Sequence, residues 1–221
     1  MTPKLRITNY LDVVSSWCLW AEPMWTELQR RYAGRVAFDW KIALMDESGM
    51  PKSRAQLEWY YHRSGTMMQS SFDLNSGWYE EGVMEYLAPN AVAEAARELG
   101  ITDDSVRIAL SIAGLREGRH TGQWEIAAGI GAATCGIDKA KLLKRAKSRA
   151  LEERLRATTA EFHALQITQR PAFVIDSEIG DRAVFSGFAK IDPLATTIDA
   201  MLEDLAFYKA HGARFGKPPE A

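Results

Sequence analysis

Two side chains with hydroxyl and sulfur chemistry, Ser15 and Cys18, stand three residues apart near the start of the chain. They lie in the stretch Asp12-Val13-Val14-Ser15-Ser16-Trp17-Cys18-Leu19-Trp20-Ala21-Glu22-Pro23. Here an apolar strand pattern ends and an amphipathic helical pattern begins. Such a joint aims its last side chains and the free N–H groups of the helix at whatever lies above the sheet edge. A helix N-terminus favours anions and lowers a thiol's pKa, so the chemistry on offer is that of a thiolate. Each residue also has a plainer reading. Ser15 or Ser16 can serve as an N-cap, and Cys18 can be a small buried apolar residue.

Other chemistries find little support. The four histidines, His62, His120, His163 and His211, are scattered and form no His-Glu-x-x-His frame, so no metal site is expected. The two cysteines, Cys18 and Cys135, have no zinc spacing and make no disulfide framework. Gly129-Ile130-Gly131 is interior to a helical pattern and is a poor phosphate loop, and no Gly-x-Ser-x-Gly elbow occurs. Net charge is −2. The basic tract Lys139 to Lys147 carries its apolar residues at helical spacing, which reads as a solvated helix face and not a nucleic-acid patch. Met1 to Arg6 shows no apolar signal segment, and no apolar span of about 18 residues follows. The expectation is a soluble, cytoplasmic protein with neither nucleic acid nor membrane as partner.

The 221 residues, 47% hydrophobic and 25% charged, suit one domain with an insertion or two closely packed ones. Leu5 to Val14 reads as a buried strand and Ser16 to Tyr32 as a helix that Pro23 should kink and Gly34 should end. Val36 to Leu44 reads as a second strand, completing a βαβ unit. From about Ser53 to Leu165 the pattern is mainly helical: Ala55 to Arg63, then a loop over Thr66 to Gly82, then Pro89 to Leu99, Thr102 to Arg116, Trp124 to Cys135 and Lys139 to Leu165. Thr168 to Pro171 breaks that run. Ala172 to Asp176 and Ala183 to Ser186 form a hairpin, and Ile191 to Ala210 is a closing helix. The predicted layout is a sheet domain over 1–52 and 166–212, a helical insertion over 53–165, and a flexible tail over 213–221.

Ser15-x-x-Cys18 with Pro23 five residues on resembles the active-site turn of the thioredoxin fold. The stretch Asp12 to Leu19 is most similar to the Asp-x-x-Cys-Pro-Trp-Cys-Tyr turn of DsbA-family proteins of the FrnE type, with serine in place of the first cysteine. The same branch includes kappa-class glutathione transferases and 2-hydroxychromene-2-carboxylate isomerases, in which a serine at that position assists the glutathione thiolate. Gln166-Ile167-Thr168-Gln169-Arg170-Pro171-Ala172-Phe173-Val174-Ile175 resembles the family's second loop. There the proline is cis, and the residue before it pairs its backbone with a bound peptide or glutathione. The resemblance implies an α/β thioredoxin-like fold with an α-helical insertion. It also implies that Arg170 offers its N–H and C=O to a ligand, and that its guanidinium could meet a carboxylate. Members of the family often dimerise, which leaves a homodimer open. Phe185 to Ala189 resembles a family Phe-Ser-Gly-Ala-Gln turn, but Phe188 and Ala189 do not reproduce the Ser-Asp pair that holds the glutamyl end of glutathione in kappa-class enzymes.

A dithiol oxidant needs two cysteines in exchange reach, and here the first is absent. Three readings follow. Ser15 could hydrogen-bond the thiolate of bound glutathione as co-substrate, Cys18 could act as a monothiol, or the fold could be a non-catalytic module holding an extended peptide beside Pro171. The candidate catalytic residues are Ser15 and Cys18. The candidate binding residues are Ser16, Trp17, Trp20, Arg170 and Pro171, and the expected ligand is a small thiol or a thiol-containing peptide. A Trp-rich rim suits an aromatic or apolar co-substrate.

Overall fold

A computed structural model describes residues 4–188 and 190–216. Its sheet is built on β1 (Leu5–Leu11), whose alternating Leu5 and Ile7 are fully buried. β1 pairs in parallel with β2 (Val36–Ile42) and antiparallel with β3 (Ala172–Ser177), and β3 pairs antiparallel with β4 (Arg182–Ser186). The strand order is β2-β1-β3-β4. One sheet face packs Leu5, Ile7, Phe173 and Ile175 against Trp25, Leu28 and Tyr32 of α1 (Ser16–Arg31) and Leu194 and Ile198 of α8 (Ile191–Phe215). The other places Tyr10, Ala172 and Val174 against Phe162 of α7 (Arg149–Ala164).

Between β2 and β3 stand α2 (Arg54–Met67), α3 (Leu87–Glu98), α4 (Ser105–Leu115), α5 (Trp124–Cys135), α6 (Lys139–Ala146) and α7. Their core is rich in alanine, with Ala88, Ala91, Ala95, Ala127 and Ala128 buried. Small side chains let the helices approach closely. A Cβ added at Gly131 would lie 2.8 Å from Val92 Cγ1, so only glycine fits where α5 crosses α3. This helical core is continuous with Leu11, Val13 and Cys18 at the end of the sheet. The mixed α/β architecture, with helices set between the two halves of a four-stranded sheet, is a thioredoxin-like fold.

Several boundaries differ from those the sequence predicts. α2 runs past Gly65 to Met67, because Ser64 is buried and its Oγ accepts from Trp20 Nε1 (3.1 Å), tying the last turn to α1. The single helix predicted over Lys139 to Leu165 is two, since Ser148 breaks the run and caps α7 by accepting from Leu151 N. α8 continues to Phe215 and stops at Gly216 (φ 76°). The predicted tail therefore loses 213–215 to helix, and 217–221 lie outside the described residues. β1 ends at Leu11, three residues earlier than its apolar pattern, because Asp12 to Ser15 form the turn. Among the described residues no helix is long and apolar enough to cross a membrane.

Candidate functional site

Ser15 caps α1 from extended backbone (φ −81°, ψ 119°), its Oγ accepting from Cys18 N at 3.4 Å. An acceptor hydroxyl keeps its proton free to donate elsewhere. The Ser16 and Trp17 N–H groups at the start of α1 have no partner among the described residues. They lie beside the Ser15 hydroxyl, where the positive end of the helix favours a negative sulfur or oxygen. Arg30 and Arg31 in the last turn complement the other end.

A cleft of about 430 Å³ opens over this turn. Ser15, Ser16 and Trp17 form one wall, and Thr168, Gln169 and Arg170 a second. The third comes from the loop after β2 (Met45, Ser48 to Pro51) and from α2 through Tyr60, Tyr61 and Arg63. The Arg170–Pro171 peptide is cis, as the family resemblance implies. Among the described residues neither the N–H nor the C=O of Arg170 has a hydrogen-bond partner, so both are available to an extended ligand. Trp17 packs at a tilt against Phe188 (5.8 Å between centroids), while Ala189 lies outside the described residues.

The Arg170 guanidinium is turned away from this use. Nε and Nη2 donate to the carbonyls of Ala43 and Leu44, and the group lies 4.4 Å from the Phe162 ring centroid. It braces the chain just after β2, and burial lowers its pKa from the usual arginine value. The expectation that it meets a ligand carboxylate is corrected accordingly. Arg63, the other cleft cation, packs its guanidinium 5.2 Å from the ring centroids of both Trp59 and Tyr60. Trp20 is also placed differently from expectation. It is buried against α2, its ring tilted 5.1 Å from that of Phe72, and it does not line the cleft.

Cys18 and Ser15 part company here. Cys18 is 4% exposed and packs in the helical core, whereas Ser15, at 6%, lines the cleft. Burial pushes the Cys18 thiol up to about 12. The Ser15 hydroxyl and the Asp12 backbone pull it down, and the Asp12 and Glu22 carboxylates oppose them. At neutral pH it is a protonated, enclosed thiol and a poor nucleophile. Cys135 is likewise a free thiol, donating to Gly131 O within its own helix.

Three residues that the sequence reading did not single out hold the turn. Asp12 is buried, and one of its oxygens accepts from Val14 N (2.9 Å) and Asn90 Nδ2 (3.1 Å), the other from Met45 N (2.8 Å). Burial still raises its pKa above the usual carboxylate value. Asn90 on α3 accepts from Val13 N (3.0 Å), and Ser111 on α4 donates to Val13 O (2.6 Å). The signals were present: Asn90 interrupts the apolar run of α3, and Ser111 interrupts that of α4. Among the described residues no cluster of three His, Cys, Asp or Glu side chains is placed to hold a metal.

Comparison with known proteins points the same way. The model of a family described as DSBA-like thioredoxin domain matches residues 6–199. A candidate protein disulfide isomerase from Nitrosomonas europaea superposes with a TM-score of 0.74 at 19% identity, covering 91% of this chain and 98% of its own. The cytosolic disulfide reductase DsbM from Pseudomonas aeruginosa gives 0.72 at 16% identity, covering 90% and 98%. The same protein solved with GSH gives 0.69 at 15%, covering 90% and 99%. At such identities the likeness is one of fold. No curated protein sequence matches the chain.

Proposed function

The chain belongs to the DSBA-like thioredoxin domain family, and from that premise we propose that its cleft takes a small thiol of the glutathione class, with Ser15 as the hydrogen-bond donor to the sulfur. The observation that carries this reading is the division of roles at the turn. Ser15 lines the cleft beside free helix N–H groups, while Cys18 is enclosed in the core with its pKa raised. A thiol brought in from solution would meet, at Ser15, the environment that makes a thiolate. The unpartnered N–H and C=O of Arg170 suit the peptide part of such a ligand, and Arg63 suits a carboxylate. The DsbM structure with GSH is a precedent within the fold.

With that assignment the reaction needs no protein thiol. The bound thiolate attacks one sulfur of a disulfide, forming a new S–S bond as the old one breaks. The departing thiolate takes a proton from solvent. A second glutathione thiolate then attacks the glutathione sulfur of the mixed disulfide, leaving glutathione disulfide and releasing the other product thiolate, which takes a proton from solvent. The helix N-terminus and Ser15 lower the pKa of the attacking thiol. A cytoplasmic setting, where glutathione is abundant and reduced, fits this use.

A second reading is a peptide-binding module without thiol chemistry. The enclosed state of Cys18 and the free strand-like edge at Arg170 favour it. Glutathione-dependent reduction of a small disulfide separates the two. We expect turnover in the native protein and in Cys18→Ala, and a loss of about tenfold or more in Ser15→Ala, the scale of one hydrogen bond to a charged atom. Turnover that survives Ser15→Ala and vanishes in Cys18→Ala would overturn the assignment.

A further inference from the structure

We infer that Asn90 and Ser111, carried by α3 and α4 of the helical segment, are positioning residues for Ser15. For its purpose this rests on the thiol-binding reading above, although the geometry stands by itself. β1 ends at Leu11, so the peptide groups of the turn have no strand to pair with. The N–H of Val13 goes to Asn90 Oδ1 and its C=O to Ser111 Oγ. The next N–H, from Val14, goes to the Asp12 carboxylate, and that of Ser15 goes to Asp12 O at 3.1 Å. The free N–H groups of Ser16 and Trp17 follow immediately. The direction in which they and the Ser15 hydroxyl point is therefore set by a residue, Val13, whose backbone N–H and C=O are both held, from α3 and α4.

The Asn90 amide fits this place in one orientation. Nδ2 donates to Asp12 Oδ1 and to Tyr86 O, and Oδ1 accepts from Val13 N. Turned over, the amide would set N–H against N–H and oxygen against carboxylate. Aspartate there would place a second buried anion on Asp12. Leucine would leave the Val13 N–H without a partner. Ser111 is 7% exposed and Asn90 is fully buried, so both contacts are made away from solvent. The charged groups around the turn are Asp12 below it, Glu22 on α1 facing Arg107 on α4, Asp46 in the loop after β2, Arg63 on α2 and Arg170 before β3. Asn90 and Ser111 add no charge to that set, so Ser111→Ala changes geometry and leaves the formal charges alone.

The test reads position 15 directly. Ser15→Cys is placed in a Cys18→Ala, Cys135→Ala background, which leaves one thiol at the turn. Its alkylation by iodoacetamide is followed against pH with and without Ser111→Ala, Ser111→Thr and Asn90→Leu, alongside thermal melting. Loss of the Val13 anchor should raise the pKa of the introduced thiol by about one unit in Ser111→Ala, equivalent to about tenfold in thiolate fraction. Ser111→Thr, which keeps the donor, should restore it. An unchanged pKa in Ser111→Ala and in folded Asn90→Leu, with only the melting temperature lowered, would overturn the inference and leave a structural role. Ser111→Ala decides alone if Asn90→Leu does not fold. Glutathione titration of the native chain runs beside it: absence of binding sinks the thiol reading without touching the position-15 result.

Discussion

Cys18 and Ser15 occupy one helical turn and face opposite environments, and that difference makes a testable statement about pH. The Cys18 thiol has a folded pKa of about 12 against an ordinary value of 9.0, with burial as the main cause. A thiol that ionises more readily unfolded than folded leaves stability intact below the unfolded value and erodes it as pH rises from there towards the folded one. Between pH ~9 and ~12 the native protein should lose about 1.4 kcal/mol per pH unit more than Cys18→Ala does. Urea unfolding midpoints of the two proteins at several alkaline pH values check this. Parallel curves would mean that Cys18 ionises freely in the folded state. The Ser15-x-x-Cys18 spacing and Pro171 were legible in the sequence because their meaning is local to a turn. Asn90 and Ser111 were not, because these partners of Val13 lie 77 and 98 residues away. Arg170 was half legible. Its cis bond to Pro171 is where the resemblance puts it, but its side chain found the carbonyls of Ala43 and Leu44 just after β2, a long-range contact that no local pattern encodes.

At the scale of elements, α1 joins the two parts of the core. Trp25 and Leu28 pack on the sheet, and Cys18 joins the helical core. Between them Glu22 pairs with Arg107 of α4, and Arg107 Nη2 also meets Asp104 Oδ2 at 3.0 Å. Asp104 accepts in turn from Trp25 Nε1 and Gln29 Nε2, each at 3.2 Å. Burial raises the Glu22 pKa even with Arg107 beside it, so the pair carries a real desolvation cost. Arg107→Ala strands the Glu22 carboxylate and should destabilise the protein by about 3–5 kcal/mol. Glu22→Leu combined with Arg107→Met should recover much of that loss, and denaturant midpoints of the two variants decide the point. A small effect of Arg107→Ala would show that Glu22 finds water or is neutral. The apolar period made the helical segments legible, although α6 and α7 read as one helix, and α5 was predicted with its observed ends. Ends failed where glycine sits inside a helix, at Gly65 and Gly212, because tertiary contacts and length outweigh the local penalty of about 1 kcal/mol.

At the scale of the whole molecule, the order β-α-β, helices, β-β-α was legible, because short buried strands and long periodic helices carry strong signals. The cleft was legible only as the meeting of two loops. Its third wall comes from the loop after β2 and from α2 with Tyr60 and Arg63, residues whose approach to the turn is a tertiary contact that no local pattern encodes. The molecule thus presents a preformed concave site whose floor is a helix N-terminus, and the proposed function draws its reactive sulfur from outside. That claim is tested most directly by calorimetric titration of the reduced protein with glutathione, repeated with Ser15→Ala. The account predicts one site per chain, with affinity reduced by about tenfold or more in the variant and binding accompanied by proton release as the thiol ionises. Equal affinity in the two proteins, or no binding to either, would contradict it.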